Sequence, residues 1–115
     1  MTTSLSPVIS SYFTAAAEGD VDALVTCFTD DAVVADEDRT WRGRAEIRSW
    51  RETVATAYKY TLDVLGSEPA GESAGLERHD VRTHLEGNFP GGTVDLTYRF
   101  GLRDGRIASL DVAPT

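Results

Sequence analysis

The sequence predicts an α+β protein in which three N-terminal helices pack in the concave face of a curved, mainly antiparallel sheet. Three observations lead there. Apolar residues recur at helical spacing through the first half of the chain, from Leu5 to Ala57. From Tyr60 onward the period changes to two. The alternating strands are apolar on one side only, so the sheet has one face to cover and the helices are what covers it. Where the helices do not fill that concavity, a pocket remains.

The elements follow in order. Ser6-Pro7 reads as an N-cap with proline at the first helical position, and Leu5, Val8, Ile9, Tyr12, Phe13 and Ala16 form the apolar side of a helix ending at Gly19. Asp20 caps a shorter helix with Val21, Leu24, Val25 and Phe28 on its apolar side, stopped at Asp30-Asp31. AVVAD is then a strand on which Val34 and Asp36 share a face, so that Asp36 is either turned inward or marks the strand's wet end. EDRTWRG reads as a loop. A third helix carries Ile47, Trp50, Val54 and Ala57 on one side and leaves Arg44, Arg48, Arg51 and Glu52 largely outside.

Tyr60, Leu62 and Val64 open the alternating part, and residues 66–75, rich in Gly, Pro, Ser and Glu, read as an exposed loop. The next strand sets Val81, Thr83 and Leu85 against Arg82, His84 and Glu86. Pro90-Gly91-Gly92 turns the chain, and Val94, Leu96, Tyr98 and Phe100 then oppose Asp95, Thr97 and Arg99. For the last hairpin a three-residue loop, Arg103-Asp104-Gly105 with Gly105 left-handed, pairs Tyr98 with Leu110 and Leu96 with Val112, whereas a two-residue loop would pair Tyr98 with Asp111. The three-residue loop is preferred, and it leaves Asp111 outside near Arg99. The sum is three helices and four or five strands.

A length of 115 residues suits one domain over residues 1–115, and 41% hydrophobic with 26% charged residues is ordinary for a globular chain. Eleven basic against nineteen acidic residues give a net charge of −8, which repels phosphate backbones and anionic lipid, so neither nucleic acid nor membrane is expected as a partner. No apolar run approaches the ~20 residues of a membrane-spanning helix. MTTSLSPVISSYF lacks the basic and apolar regions of a secretory signal, and a cytoplasmic location is the expectation. The single cysteine, Cys27, excludes an intrachain disulfide and sits at helical spacing with Leu24 and Phe28, the position of a small buried hydrophobe. His79 has the inward parity of Val81 while His84 faces out, no metal-ligand spacing, phosphate-cradling glycine signature or nucleophile elbow occurs, and no metal or cofactor is expected.

The stretches YFTAAAEGD, DALVTCF, DDAVVADEDRTWRG, AEIRSW and YRFGLRDGRIASLDV resemble the nuclear transport factor 2-like superfamily, which includes ketosteroid isomerases and SnoaL-like polyketide cyclases. The likeness covers nearly the whole chain and implies a cone-shaped α+β barrel, a fold that hosts many functions. In the isomerases a helical tyrosine and a carboxylate after the first strand face each other across the cone. Tyr12, eight residues before Asp20, and Asp36, sixteen after it, match that spacing, and Trp50 falls where an aromatic lines the pocket. Leu96 stands where the isomerases carry a second, protonated aspartic acid, and the adjacent Asp95 points to the other strand face. Ketosteroid isomerase uses a tyrosine and a neutral acid together, and losing one oxyanion donor costs about 2.7–4 kcal/mol in other enzymes.

The resemblance thus implies a small-molecule enzyme of the isomerase or cyclase type, moving a proton on an apolar carbonyl compound without a cofactor. Asp36 would be the general base and Tyr12 the oxyanion donor, with Phe28, Trp41, Trp50, His79, Leu96, Tyr98, Phe100 and Leu110 shaping the pocket. Plainer readings stand beside these. Asp36 is alternatively a strand-end acid held by loop amides, Arg39 or Arg42; Tyr12 a core residue with its hydroxyl at the rim; Trp41 a lid or a plug. The competing function is a non-catalytic module that holds a hydrophobic ligand or binds a partner through its sheet, which Leu96 favours. In relatives the outer sheet face, here Thr97, Arg99, Ser109 and Asp111, often forms a homodimer, and the resemblance implies one here.

Overall fold

The computed structural model describes residues 5–36 and 38–115. The first four residues of the stretch read for a secretory signal, and Glu37 of EDRTWRG, lie outside the described residues. The chain is α+β, and its described residues form three helices and one curved, mixed sheet of six strands. Helix α1 spans Pro7–Glu18 and ends where Gly19 turns left-handed (φ 69°), with the Gly19 N–H donating to the Ala16 carbonyl (3.3 Å) and the Asp20 N–H to that of Ala15 (3.0 Å). The Asp20 carboxylate then accepts from the Ala23 N–H (3.0 Å) and caps α2, Val21–Thr26. This short helix stops before Phe28, which opens β1 (Phe28–Asp36) and is not on the helix as the spacing suggested. Cys27, between them, is buried, and burial raises its thiol pKa.

The stretch read as a loop after Asp36 contains a further strand, β2 (Arg39–Arg42), which pairs antiparallel with β1 and sets Asp36 opposite Arg39. It is only four residues long, and its alternation was too brief to register as a period. Helix α3 (Gly43–Ala57) packs on β1 and β2 and touches α2, while α1 touches α2 and β6. The other strands are β3 (Tyr60–Ser73), β4 (Leu76–Gly87), β5 (Thr93–Arg103) and β6 (Arg106–Pro114), in the order β2-β1-β6-β5-β4-β3. Among the described residues only the β1/β6 pair is parallel. Residues 66–73, expected in a loop, continue β3 to a tight turn at Ala74-Gly75, both with positive φ (55° and 76°). Their composition is that of a loop because residues 68–73 are exposed and have no face to bury.

The last hairpin closes by a different device from the expected three-residue loop. Arg103 pairs with Arg106 across a two-residue turn in which Asp104 and Gly105 both have positive φ (53° and 75°). The parity that the apolar pattern demands comes from a bulge: Leu102 faces Ile107 but Gly101 faces Ser109, leaving Ala108 as the extra residue. Tyr98 therefore faces Val112 and Phe100 faces Leu110, and Arg99 lies across from Asp111 on the outer side. Phe28, Phe100, Ile107 and Leu110 are at most 1% exposed, and Tyr12 and Phe13 meet each other and the stacked pair Tyr98 and Phe100 edge to face with ring centroids 5.2–6.2 Å apart. Thr83 is fully buried on the same strand face and satisfies its hydroxyl by donating to the Leu96 carbonyl (2.9 Å). Among the described residues no helix is long and apolar enough to cross a membrane.

Gly87 fixes how closely α3's exit approaches β4. A Cβ there would strike the Lys59 carbonyl oxygen and lie 2.7 Å from Tyr60 Cβ and 2.9 Å from its Cα. Gly87→Ala is expected to cost roughly 1–3 kcal/mol through backbone displacement. Urea unfolding measures it, and a change below about 0.5 kcal/mol would show that this junction yields freely.

Candidate functional site

Strand β1 ends at Asp36, and α3 presents Trp50 to it: the indole Nε1–H donates to Asp36 Oδ2 at 2.9 Å. Trp50 is 3% exposed, whereas Asp36 is half-buried. A buried indole that needs an acceptor and a strand-end carboxylate that offers one hold each other in a fixed orientation. Asp36 lies in the wall of a cavity of about 820 Å³ bounded by α3, the ends of β1 and β6, and β4 and β5. Trp50, Val54, Leu85, Leu96 and Val112 supply its apolar surface, and Asp38, Arg39 and Asp111 also line it.

A second cavity, about 620 Å³, lies between α1 and β3, with Tyr12, Ala16, Leu24, Leu62 and Val64 in its walls. Arg51, Tyr58, Tyr60 and Tyr98 line both cavities and form the partition between them. Arg51 departs from the expected exposure: it is only 7% exposed. Its place follows from helical geometry, since Ile47, Trp50, Arg51 and Val54 form an i, i+3, i+4, i+7 set and Arg51 occupies an inward position of that stripe. The guanidinium donates from Nη2 to the Tyr60 hydroxyl oxygen (3.2 Å) and lies 5.0 Å from the centroid of the Trp50 ring. Among the described residues no carboxylate oxygen comes within 4.0 Å of it.

Tyr12 is 1% exposed, and its hydroxyl has no hydrogen-bond partner among the described residues. Burial pushes its phenol well above the usual tyrosine range, with the Arg51 charge pulling the other way. The same causes, headed by burial, raise Tyr98, so both rings are neutral donors at physiological pH.

Of the residues singled out in the sequence, Asp36, Trp50, Leu96 and Tyr98 meet in the first cavity. Tyr12 lies in the second, so the tyrosine and the aspartate face different spaces. Phe28, Phe100 and Leu110 are core behind the cavities and line neither. Trp41 is on a strand, half-buried under the Arg39 guanidinium at 4.1 Å from its ring centroid, and it too lines neither. His79 is engaged by Glu77 (2.7 Å) outside both cavities. Sequence reasoning passed over Arg51 and Tyr60; the complete helical stripe is the signal that points to Arg51, and Tyr60 shows no more than the alternation of its strand.

A curved six-stranded sheet with three helices, holding an acid-bearing cavity, defines a nuclear transport factor 2-like protein. The profile of the SnoaL-like domain family matches residues 9–110, and the chain belongs to that family. Among solved structures it is similar to a candidate polyketide cyclase from Sinorhizobium meliloti, with 37% identity, a TM-score of 0.87 and 95% of each chain covered. A Catenulispora acidiphila protein with a ketosteroid isomerase-like fold, solved with trimethylamine, aligns at 16% identity and TM-score 0.80 over 99% of this chain and 88% of that one. A candidate polyketide cyclase from Pseudomonas putida aligns at 16% identity and TM-score 0.74 over 100% and 93%. No curated protein matches the chain.

The buried phenols give the site a pH signature. In the folded state Tyr12 and Tyr98 keep protons that the unfolded chain releases near pH ~10. Their contribution to stability is therefore full below that pH and falls as pH rises above it. In an alkaline absorbance titration, two of the four tyrosines are expected to ionise only together with loss of tertiary structure. Smooth ionisation of all four before unfolding would contradict the closed environment of Tyr12.

Proposed function

We propose that this chain binds a small apolar carbonyl compound in the first cavity and that Asp36 moves a proton α to the carbonyl, in the manner of an isomerase or a polyketide cyclase. The observation that carries the reading is the Trp50 Nε1–Asp36 Oδ2 hydrogen bond, which aims a carboxylate at a largely apolar space. About 820 Å³ is in the range of small-molecule sites. In this reading the helices close over the concave sheet face as in a cone, and the 37%-identical relative described as a candidate polyketide cyclase supports the substrate class. Tyr12, the expected oxyanion donor, stands behind the partition, while Tyr98 lines the first cavity and is a neutral phenol on the ligand's side.

Leu96 favours a second reading. It lines the cavity, where a second acid would complete an isomerase-like oxyanion site, and a chain without that acid is suited to holding the ligand without turning it over. Proton exchange separates the two. With a β,γ-unsaturated ketosteroid and an aryl methyl ketone in D₂O, followed by NMR, an Asp36 base gives catalysed α-proton exchange that Asp36→Asn lowers by about 10²–10⁴-fold while affinity stays within a few-fold. Binding without exchange in the unaltered protein leaves the non-catalytic module.

A further inference from the structure

We propose that the second cavity is a separate binding site for an organic monocarboxylate, whose acid group is seated on Arg51 and Tyr12. Arg51 is a permanent cation, 7% exposed, with no carboxylate of the described residues within 4.0 Å. A buried guanidinium without an acid is costly in an empty site and rewarded in one that receives an anion. Tyr60 accepts from Arg51 Nη2, which leaves the phenolic hydrogen of Tyr60 available for another acceptor. Tyr12 carries a hydroxyl with no hydrogen-bond partner among the described residues, and Arg51 is the strongest charge acting on it. A carboxylate, with two oxygens and about four acceptor directions, is the small group that suits one guanidinium and two phenols together.

The side of approach follows from Tyr12, which lines the second cavity and not the first. The first cavity carries Asp36 and Asp38 beside Arg39, with Asp111 at its edge on the outer sheet face. In the second the acids are Glu18 and Asp20 at the exposed end of α1, accompanied by Lys59, and the remaining wall includes Ala16, Leu24, Leu62 and Val64. The ligand is therefore an acid with an apolar body, and its oxygens take the place of Tyr60 at the guanidinium to reach the Tyr12 hydroxyl. This site does not depend on Asp36 acting as a base.

The test titrates the full chain with hexanoate, benzoate and 1-naphthoate, each beside its primary amide, using calorimetry and tryptophan fluorescence. At least one acid is expected to bind at least tenfold more tightly than its amide. Arg51→Met erases that preference, Arg51→Lys restores part of it, and Tyr12→Phe weakens the acid about tenfold. Tyr12→Phe deletes a buried hydroxyl that has no counterpart among the described residues, so its thermal stability is expected to hold or rise, whereas Arg51→Met also gives up the Tyr60 hydrogen bond and the Trp50 contact. Should Arg51→Met fail to fold, Tyr12→Phe decides alone, since it removes a single atom. Asp36→Asn keeps the acid preference even where it abolishes proton exchange, which separates this site from the chemistry of the first cavity. Equal affinity for acids and amides, no binding of any acid, or a preference that survives Arg51→Met overturns the proposal.

Discussion

Arg51 is the constraint around which the interior is arranged. A guanidinium at an inward position of an amphipathic helix cannot be packed as Leu or Ile would be, because its hydrogens must be met and its charge must be spread. The structure meets it with the Trp50 face and the Tyr60 hydroxyl, and these neighbours bring their own requirements. Trp50 turns its N–H to Asp36, and Tyr12 and Tyr98 are left close enough to feel the charge without neutralising it. The space that a larger apolar core would fill is divided instead into two cavities by one polar partition.

The sheet supplies the rigid side of that arrangement. Between a two-residue turn at Asp104-Gly105 and a bulge at Ala108, β6 reaches the register that puts Leu110 and Val112 opposite Phe100 and Tyr98. Either device alone would turn Asp111 into the core, because a slip of one residue exchanges the two faces of a strand. The bulge also adds local twist, here where β6 runs from its antiparallel pairing with β5 to its parallel pairing with β1.

Much of this architecture was legible in the residues. The three helices, the start of the first at Pro7 and its end at Gly19, the cap at Asp20, the facing of Val81, Thr83 and Leu85, and the apolar side of Val94 to Phe100 all follow from period and capping chemistry, which are local. What was missed needed non-local information. Phe28 continues a helical spacing and belongs to a strand because Ile107, far along the chain, pairs with it. Residues 66–73 have loop composition and strand geometry because β4 templates them. For the site, Asp36 and Trp50 were found together, while the exposure expected of Arg51 came from its charge, which outweighed a helical position that says the opposite. That Tyr12 and Asp36 would face different spaces depends on side chains from three other elements and no spacing encodes it.

The single parallel pairing of the sheet has a consequence for how the protein is made. Strand β1 carries Asp36 but, among the described residues, joins the main sheet through β6 alone, by pairings such as Val34 with Leu110 and Asp36 with Val112. Those partners are 76 positions apart in sequence, so the acid-bearing wall closes only once β6 has been made, well after β1. During translation the helices and β1 leave the ribosome with an apolar strand edge unpaired, the state in which nascent chains are most open to association with one another. Helix α3, which packs on β1 from the same early segment, is the cover at hand during that interval. The contacts that later position Trp50 against Asp36 thus double as shelter for the growing chain.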